Sequence, residues 1–259
     1  MALEFQTEFE RLELKYLIDE QTAGRVRAAL AATCEADHAE GGGYPVTSLY
    51  LDTPTMAFHL AKLRNAPDRF KLRARVYGDA SPVFLEIKRK VGDVVLKRRV
   101  VVAREGFADA AVGFGEPLDG TAKSRAVLDQ FAVLMARTGA QPRLLVEYRR
   151  EAYASAVDRY ARVTFDRVLR VQEQRDWRFD ADPAGWTPID GTFAVDGAFS
   201  PVVLELKCEA RMPRWMTALV TRFELRFQGF SKYSNGIMLT DREAHAQPPP
   251  CDLTELGEA

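Results

Sequence analysis

The chain is poor in cysteine and histidine and has no long apolar segment. Its 259 residues include three cysteines, far apart at Cys34, Cys208 and Cys251, and three histidines. No Cys-x-x-Cys pair is present, so we expect neither a disulfide scaffold nor a cysteine zinc site. The scattered histidines offer little for a metal site or a catalytic triad. No apolar run reaches the roughly 20 residues of a membrane helix. Residues 1–16 mix acids and bases without the apolar core of a secretory signal.

The composition is that of a folded protein with balanced charge. Hydrophobic residues make up 47% and charged residues 28%, and 36 basic against 37 acidic residues give a net charge of −1. Such a balance disfavours a generally basic nucleic-acid binder, but it leaves a concentrated basic site open. We expect a cytoplasmic protein with a single domain over residues 1–244. A proline-rich and then acidic tail, 245–259, is expected to be disordered.

Most of the sequence alternates between apolar and polar residues with a period of two, which indicates strands. The predicted strands are Arg11–Asp19, Thr47–Asp52, Phe70–Tyr77, Val83–Lys90, Val94–Ala103, Pro142–Ala154, Ala161–Val171 and Val202–Ala210. The predicted helices are Gln21–Thr33, Thr55–Leu63, Lys123–Arg137 and Pro213–Phe223. This strand-dominated order without a βαβ rhythm predicts an antiparallel α+β fold.

The polar faces of these strands carry an unusual concentration of charge. In Phe70–Tyr77, for example, Lys71, Arg73 and Arg75 alternate with small or apolar residues, and four other strands show similar pairs or triplets. One interpretation is a set of solvated sheet faces, because charged residues usually face water. The other is a closed barrel whose wet lumen holds the charges while its outer face packs on helices. Periodicity alone leaves both open.

The order of several short strings carries a family resemblance. The strings are RLELKY (11–16), SLYLDT (48–53), KLRARVYG (71–78), FLEIK (84–88), KRR (97–99), EYRREAY (147–153), RVTFD (162–166), LELK (204–207) and FSKY (230–233). Each string alone is weak, but their number and order resemble the VTC domain over about residues 5–239. That domain is the polyphosphate polymerase domain of the vacuolar transporter chaperone complex, within the CYTH-like triphosphate tunnel metalloenzyme superfamily.

The resemblance implies an antiparallel β-barrel tunnel with helices packed outside. It also implies an ATP-dependent polyphosphate polymerase, which transfers the γ-phosphate of ATP to a growing polyphosphate chain with Mn²⁺ or Mg²⁺. A tripolyphosphatase or nucleoside triphosphatase, or a non-catalytic polyphosphate-binding protein, remains an alternative. The implied partners are ATP, polyphosphate and pyrophosphate, with no nucleic acid. A membrane partner encoded elsewhere and the oligomeric state are left open.

The matched strings assign the site residues. Arg73, Arg75, Arg150 and Arg162 are expected to clamp the triphosphate, and Lys15, Lys88 and Lys232 to support the transferring phosphoryl group and the acceptor. These seven are the predicted catalytic residues, and Glu205 is the predicted metal ligand. The predicted substrate-binding residues are Glu13, Glu86, Lys97, Arg99, Tyr148, Asp166 and Lys207. Glu13 and Glu86 have an alternative role, orienting neighbouring cations by ion pairs. The ten basic and four acidic residues leave six excess positive charges in a chain of net charge −1.

One position departs from the hydrolytic branch of the superfamily. That branch begins with Glu-x-Glu-x-Lys, whereas this chain has Arg11 at the first position. The resemblance therefore favours the polymerase-like branch over triphosphatases and adenylate cyclases. The regulatory and membrane regions of the eukaryotic complex have no counterpart in the sequence, so we expect a stand-alone protein of the bacterial type.

Overall fold

A computed structural model describes most of the chain. The described residues are 11–37, 43–92, 94–158, 160–189, 194–195, 198–199, 202–209 and 211–240. The predicted disordered tail, 245–259, lies outside them. Among the described residues, no helix is long and apolar enough to cross a membrane.

The strands follow the alternating pattern of the sequence. They are β1 (Arg11–Ile18), β2 (Cys34–Ala36), β3 (Tyr44–Asp52), β4 (Asp68–Val76), β5 (Val83–Val91), β6 (Val94–Val102), β7 (Gln141–Ser155), β8 (Ala161–Glu173), β9 (Thr187–Pro188), β10 (Ala194–Val195), β11 (Ala198–Phe199) and β12 (Val202–Glu209). All eight predicted strands are present, with ends shifted by up to three residues. Ten of the observed strands form one antiparallel sheet in the order β1-β12-β8-β7-β3-β4-β5-β6, with β2 added beside β7 and β9 beside β8.

Four of the helices match the predicted ones and two were not predicted. The helices are α1 (Glu20–Leu30), α2 (Ala57–Leu63), α3 (Phe107–Ala111), α4 (Ala122–Thr138), α5 (Arg214–Arg222) and α6 (Lys232–Thr240), with a short 3₁₀ turn at Pro183–Gly185. Asp19 caps α1 and Thr121 caps α4, each accepting a hydrogen bond from a backbone N–H three residues on. The unpredicted helices are α3 and α6. The serine, asparagine and glycine in α6 give it little intrinsic helix propensity.

The prediction of a closed barrel is wrong, because the sheet stays open. Its terminal strands, β1 and β6, are not paired with each other in the described residues. The free edge of β1 pairs instead with residues 227–228, which follow α5. Tyr16 forms a β-bridge with Phe227, and the amide of Gln228 donates a hydrogen bond to the carbonyl of Lys15 at 3.0 Å. These backbone groups are therefore unavailable for pairing with β6. The two ends of the sheet still approach each other, since Lys88 of β5 donates to Glu13 of β1 at 2.8 Å, and we call the gap between its edges the seam.

The outer, apolar face of the curled sheet is covered by helices. Residues of β3 to β6 pack against α3 and α4, with Leu72, Leu85 and Phe131 all fully buried. On the other half, β1, β12 and β8 pack against α1 and α5. Burial of these faces is the main stabilising contribution of the fold. It leaves the charged faces of the strands on the inside of the curl.

Helix α6 closes part of the inner space. Its Tyr233 stacks on Tyr50 of β3, with ring centroids 5.0 Å apart, and donates a 2.7 Å hydrogen bond to the buried carboxylate of Asp52. A Cβ on Gly236 would lie 2.7 Å from Leu144 and 2.8 Å from Val171, so only glycine permits this approach of α6 to β7 and β8. This packing holds Lys232, the first residue of α6, inside the curl.

Candidate functional site

The charged strand faces turn toward one another across the inside of the curled sheet. Glu13 on β1 accepts a 2.8 Å hydrogen bond from Lys88 on β5, although these strands lie near opposite ends of the sheet order. The solvated-face interpretation would leave such side chains far apart. The structure therefore supports a charged interior, which we call the inner tunnel.

One group of cations in the inner tunnel surrounds Glu86 of β5, and we call it the Glu86 cluster. The Glu86 carboxylate is 1% exposed and accepts hydrogen bonds from Arg73 at 2.6 Å and Arg99 at 2.8 Å. The ammonium of Lys97 lies 2.8 Å away. Burial alone would raise the pKa of Glu86, but the surrounding cations hold it well below its ordinary value. Glu86 is therefore a counterion to these cations, and its role in substrate binding stays a prediction.

Arg75 lies beside the Glu86 cluster but is bound to it only loosely. Its closest approach to the Glu86 carboxylate is 4.0 Å, at the limit of an ion pair. Its Nε donates to the hydroxyl of Ser48 at 3.0 Å, and the residue is only 5% exposed. An arginine presents five N–H donors in a rigid fork. Arg75 also contacts Tyr77, whose ring centroid lies 6.0 Å from the guanidinium carbon, so only its remaining donors could serve a ligand.

A second group of cations surrounds Glu205 of β12, and we call it the Glu205 cluster. One carboxylate oxygen lies 3.0 Å from the ammonium of Lys232 and 3.3 Å from that of Lys15. The other lies 2.7 Å from Lys207 and 3.4 Å from Arg150. Burial raises the pKa of Glu205, but these cations outweigh it and hold the pKa well below its ordinary value.

Asp166 of β8 completes the Glu205 cluster. It forms a fork with Arg150 through two hydrogen bonds of 2.7 Å, and its second oxygen lies 2.6 Å from Lys232. Tyr148 is 2% exposed and lies beneath both cations, with its ring centroid 5.2 Å from the Arg150 guanidinium carbon and 4.8 Å from the Lys232 nitrogen. Tyr148 therefore supports the cations by cation–π contact.

Arg162 stands apart from the other predicted clamp residues. Its side chain is 50% exposed, and its ion pair is with Asp37 at 3.6 Å. It shares a strand face with Asp166 but lies four residues away, level with Lys207 of the neighbouring strand. Arg162 therefore lies toward the mouth of the inner tunnel, while Arg73, Arg75 and Arg150 are inside it.

The seam opens into a cavity of about 430 Å³, which we call the seam cavity. Its cationic lining residues are Lys15, Lys62, Arg69, Lys71, Lys88 and Lys90. Glu13 is the one acidic residue among the described lining residues. The sequence placed Lys71 on the same face as Arg73 and Arg75, but the matched strings did not select it as a site residue. Its alternation with those arginines was the available signal.

Other residues of the inner tunnel were also missed. Tyr50 accepts a 2.8 Å hydrogen bond from Arg73, and Ser48 accepts one from Arg75. Both lie in the SLYLDT string, where period-two alternation could have placed them on the inner face. Thr164 lies level with Glu205 and is 4% exposed, and its hydroxyl has no hydrogen-bond partner among the described residues. A buried hydroxyl of this kind can serve a bound polar ligand.

The geometry favours binding of an elongated polyanion. Arginine forks suit phosphoryl oxygens, and lysines add compact point charges. Both act more strongly in a partly enclosed site than at an open surface. The family model of the VTC domain matches residues 10–240, and this chain belongs to that family.

Several solved structures are similar to this chain at low sequence identity. A proposed adenylate cyclase from Bacillus halodurans is 11% identical, with a TM-score of 0.51 over 91% of this chain and 100% of that one. A proposed adenylyl cyclase from Hippeastrum, described as having a dominant triphosphatase activity, is 14% identical, with a TM-score of 0.48 over 91% and 99%. A proposed adenylate cyclase from Vibrio parahaemolyticus is 12% identical, with a TM-score of 0.46 over 89% and 98%. No curated protein sequence is significantly similar to this chain.

The groups around Glu205, the predicted metal ligand, show whether a divalent cation could bind there. Both oxygens of Glu205 are already approached by ammonium or guanidinium groups. No group of three or more His, Cys, Asp or Glu side chains in the described residues could hold a metal ion. Oxygen donors are what Mn²⁺ and Mg²⁺ require, and nearby cations oppose them. The residues do not fit a divalent cation in this arrangement, and the assignment of Glu205 to a metal stays a prediction.

Proposed function

We propose that this protein is an ATP-dependent polyphosphate polymerase. The γ-phosphate of ATP would be transferred to the end of a polyphosphate chain held in the inner tunnel. The observation that carries the proposal is the set of buried or half-buried cations converging from β1, β4, β6, β7, β12 and α6. Membership of the VTC family supports the same substrate class.

The two clusters suggest how the phosphates are held. Arg73 and Arg75 on one side, with Arg150 and Lys232 on the other, would bind the triphosphate between them. Glu86, Glu205 and Asp166 keep these cations in place before the ligand arrives. Such preorganised charge is the main requirement of phosphoryl transfer, which needs positioning and charge neutralisation more than covalent help.

The transfer itself exchanges one P–O bond for another. A terminal oxygen of the acceptor chain forms a bond to the γ-phosphorus, and the bond from that phosphorus to the bridging oxygen breaks. The electron pair leaves with ADP, where the cations of the inner tunnel stabilise the developing charge. Lys15 and Lys88 lie on the side of the seam, where they would support the acceptor.

The direct test is product analysis with purified protein. Incubation with ATP, in separate reactions with Mn²⁺, Mg²⁺ or a chelator, is expected to yield long phosphate chains and ADP in at least one of the reactions. Chains are resolved by gel electrophoresis and ADP by chromatography. Release of orthophosphate alone would instead support a tripolyphosphatase, and tight binding without turnover a polyphosphate-binding protein.

Strand β6 offers a matched pair of variants for this assay. Arg99 points into the inner tunnel toward Glu86, while the adjacent Arg98 points outward and donates to Gln130. We expect Arg99→Ala to reduce polymerase activity and Arg98→Ala to leave it close to the unmodified protein. Equal losses from both would contradict the inner tunnel as the site of reaction.

A further inference from the structure

Lys71 is a lysine of the seam cavity whose hydrogen-bond partner is a hydroxyl and not a carboxylate. It lies on β4, and its ammonium nitrogen donates to the hydroxyl of Ser231 at 3.0 Å. Among the described residues, no carboxylate lies within ion-pair distance of it. The nearest acid of the cavity, Glu13, is already occupied by Lys15 at 3.3 Å and Lys88 at 2.8 Å.

The charged groups around Lys71 are cationic with the exception of Glu13. The charged groups that face it or share its cavity are Glu13 and Lys15 on β1, Lys62 on α2, Arg69 and Arg73 on β4, and Lys88 and Lys90 on β5. Burial, followed by the repulsion of Lys15, Lys88, Arg73 and Lys62, lowers the pKa of Lys71 well below its ordinary value. An anion entering the cavity would oppose both effects, because a nearby negative charge favours the charged amine.

We propose that the seam cavity is a second phosphate-binding subsite, in which Lys71 takes up a proton as the terminal phosphate of a polyphosphate acceptor enters. This inference rests on the proposed function, for which it names the acceptor position. The cavity volume of about 430 Å³ falls in the range of small-molecule sites. It adjoins the inner tunnel through Lys15, which contacts both Glu13 and Glu205.

The proposed step is a proton uptake and involves no bond to phosphorus. The neutral amine of Lys71 accepts a proton from solvent and becomes an ammonium, which then donates a hydrogen bond to a phosphate oxygen. Ser231 keeps the amine aimed into the cavity. An empty cavity therefore avoids one further buried positive charge, and an occupied one gains a full ion pair.

The proton uptake can be measured by titration calorimetry with tripolyphosphate. The titration is run near pH 8 in buffers of different ionisation enthalpy, and protons released by the ligand itself cancel when the unmodified protein is compared with a variant. The unmodified protein is expected to take up more protons on binding than a variant whose residue 71 cannot gain one. Lys71→Arg, which is always charged, is expected to bind but to take up fewer protons, by up to about one per chain.

Two further variants distinguish proton uptake by Lys71 from proton uptake by other lysines. The pKa of Lys97 in the Glu86 cluster is lowered to about 7, first by burial, so Lys97 can also gain a proton. We expect Lys97→Arg to remove a separate part of the uptake and Lys90→Arg, in the same cavity, to change little. If Lys71→Met keeps the proton uptake and affinity of the unmodified protein, the subsite is wrong. Melting temperatures confirm that each variant is folded.

The possible results distinguish this inference from the proposed function. Tripolyphosphate binding with unchanged uptake in Lys71→Arg would overturn the subsite and leave the polymerase proposal standing. Absence of any tripolyphosphate binding would overturn both. Orthophosphate serves as a second ligand: uptake dependent on Lys71 with orthophosphate alone would support a phosphate subsite but contradict its assignment to a chain end.

Discussion

The inner tunnel and the seam cavity are both lined by lysine and arginine, but their charges are balanced differently. In the inner tunnel, Glu86, Glu205 and Asp166 each hold two or more cations at hydrogen-bond distance. In the seam cavity, six cations share Glu13 as the acidic residue of the described lining. The comparison indicates a region whose cations are held by carboxylates next to one that carries an excess of positive charge.

Acidification is expected to affect the inner tunnel most. The pKa values of Glu86 and Glu205 are held well below their ordinary value in the folded protein. Their contribution to stability is therefore complete above the unfolded pKa of about 4.3 and is lost as the pH falls through the folded values. We expect the melting temperature to fall steeply below about pH 4, and less steeply in Glu205→Gln. If the melting temperature fell equally steeply with pH in Glu205→Gln, the ion pairs of Glu205 would not contribute to stability as described.

Removal of a central carboxylate is expected to be the most damaging single change. Glu86→Gln leaves Arg73, Arg99 and Lys97 without their counterion, and breaking a buried ion pair of this kind costs about 3–5 kcal/mol. The free energy of unfolding is measured by urea denaturation. Glu147→Gln is the matched control, because Glu147 pairs with Arg170 in a more exposed position. Its expected cost is below about 1 kcal/mol, and similar costs for the two variants would contradict the account.

Removal of a loosely held arginine is expected to affect binding instead of stability. Arg75→Ala should weaken tripolyphosphate binding by about 1.5–3 kcal/mol, the contribution of a hydrogen bond to a charged group. Calorimetry measures the affinity, and Arg98→Ala on the outer face of β6 is the control. An Arg75→Ala protein with unchanged affinity would show that the donors of Arg75 do not reach the ligand.

The smallest expected effect has the opposite sign. Lys71→Met removes a desolvated amine that lacks a carboxylate, so the ligand-free protein should melt roughly 2–4 °C higher, which corresponds to about 1 kcal/mol. Lys88→Met is the control, because it removes a lysine that pairs with Glu13. We expect no increase there. A lower melting temperature for Lys71→Met would show that the positive charge of the seam cavity does not destabilise the ligand-free protein.

The sequence predicted the strands well because their signal is local. Alternation determines which residues share a face, so the pattern alone puts Arg73 and Arg75 on the same side of β4. The open seam depends on the bridge between Tyr16 and Phe227, which no local pattern indicates. Helix α6 was missed for a similar reason, since it is held by the packing of Tyr233 and Gly236 rather than by helix propensity.

The members of the site were easier to predict than their partners. The matched strings named the residues of both clusters. They could not show that Glu205 is shared by Lys15, Lys207, Lys232 and Arg150, because those partners come from β1, β7, β12 and α6. Nor could they show that Lys71 lacks a carboxylate, since that depends on how the seam separates the strands.

Titration of the protein with tripolyphosphate tests the central claim most directly. The account predicts saturable binding that raises the melting temperature, because a ligand that binds only the folded state stabilises it by mass action. It also predicts weakened binding in Arg75→Ala and unchanged binding in Arg98→Ala. No binding, or binding reduced equally by both substitutions, would contradict a phosphate site inside the curled sheet.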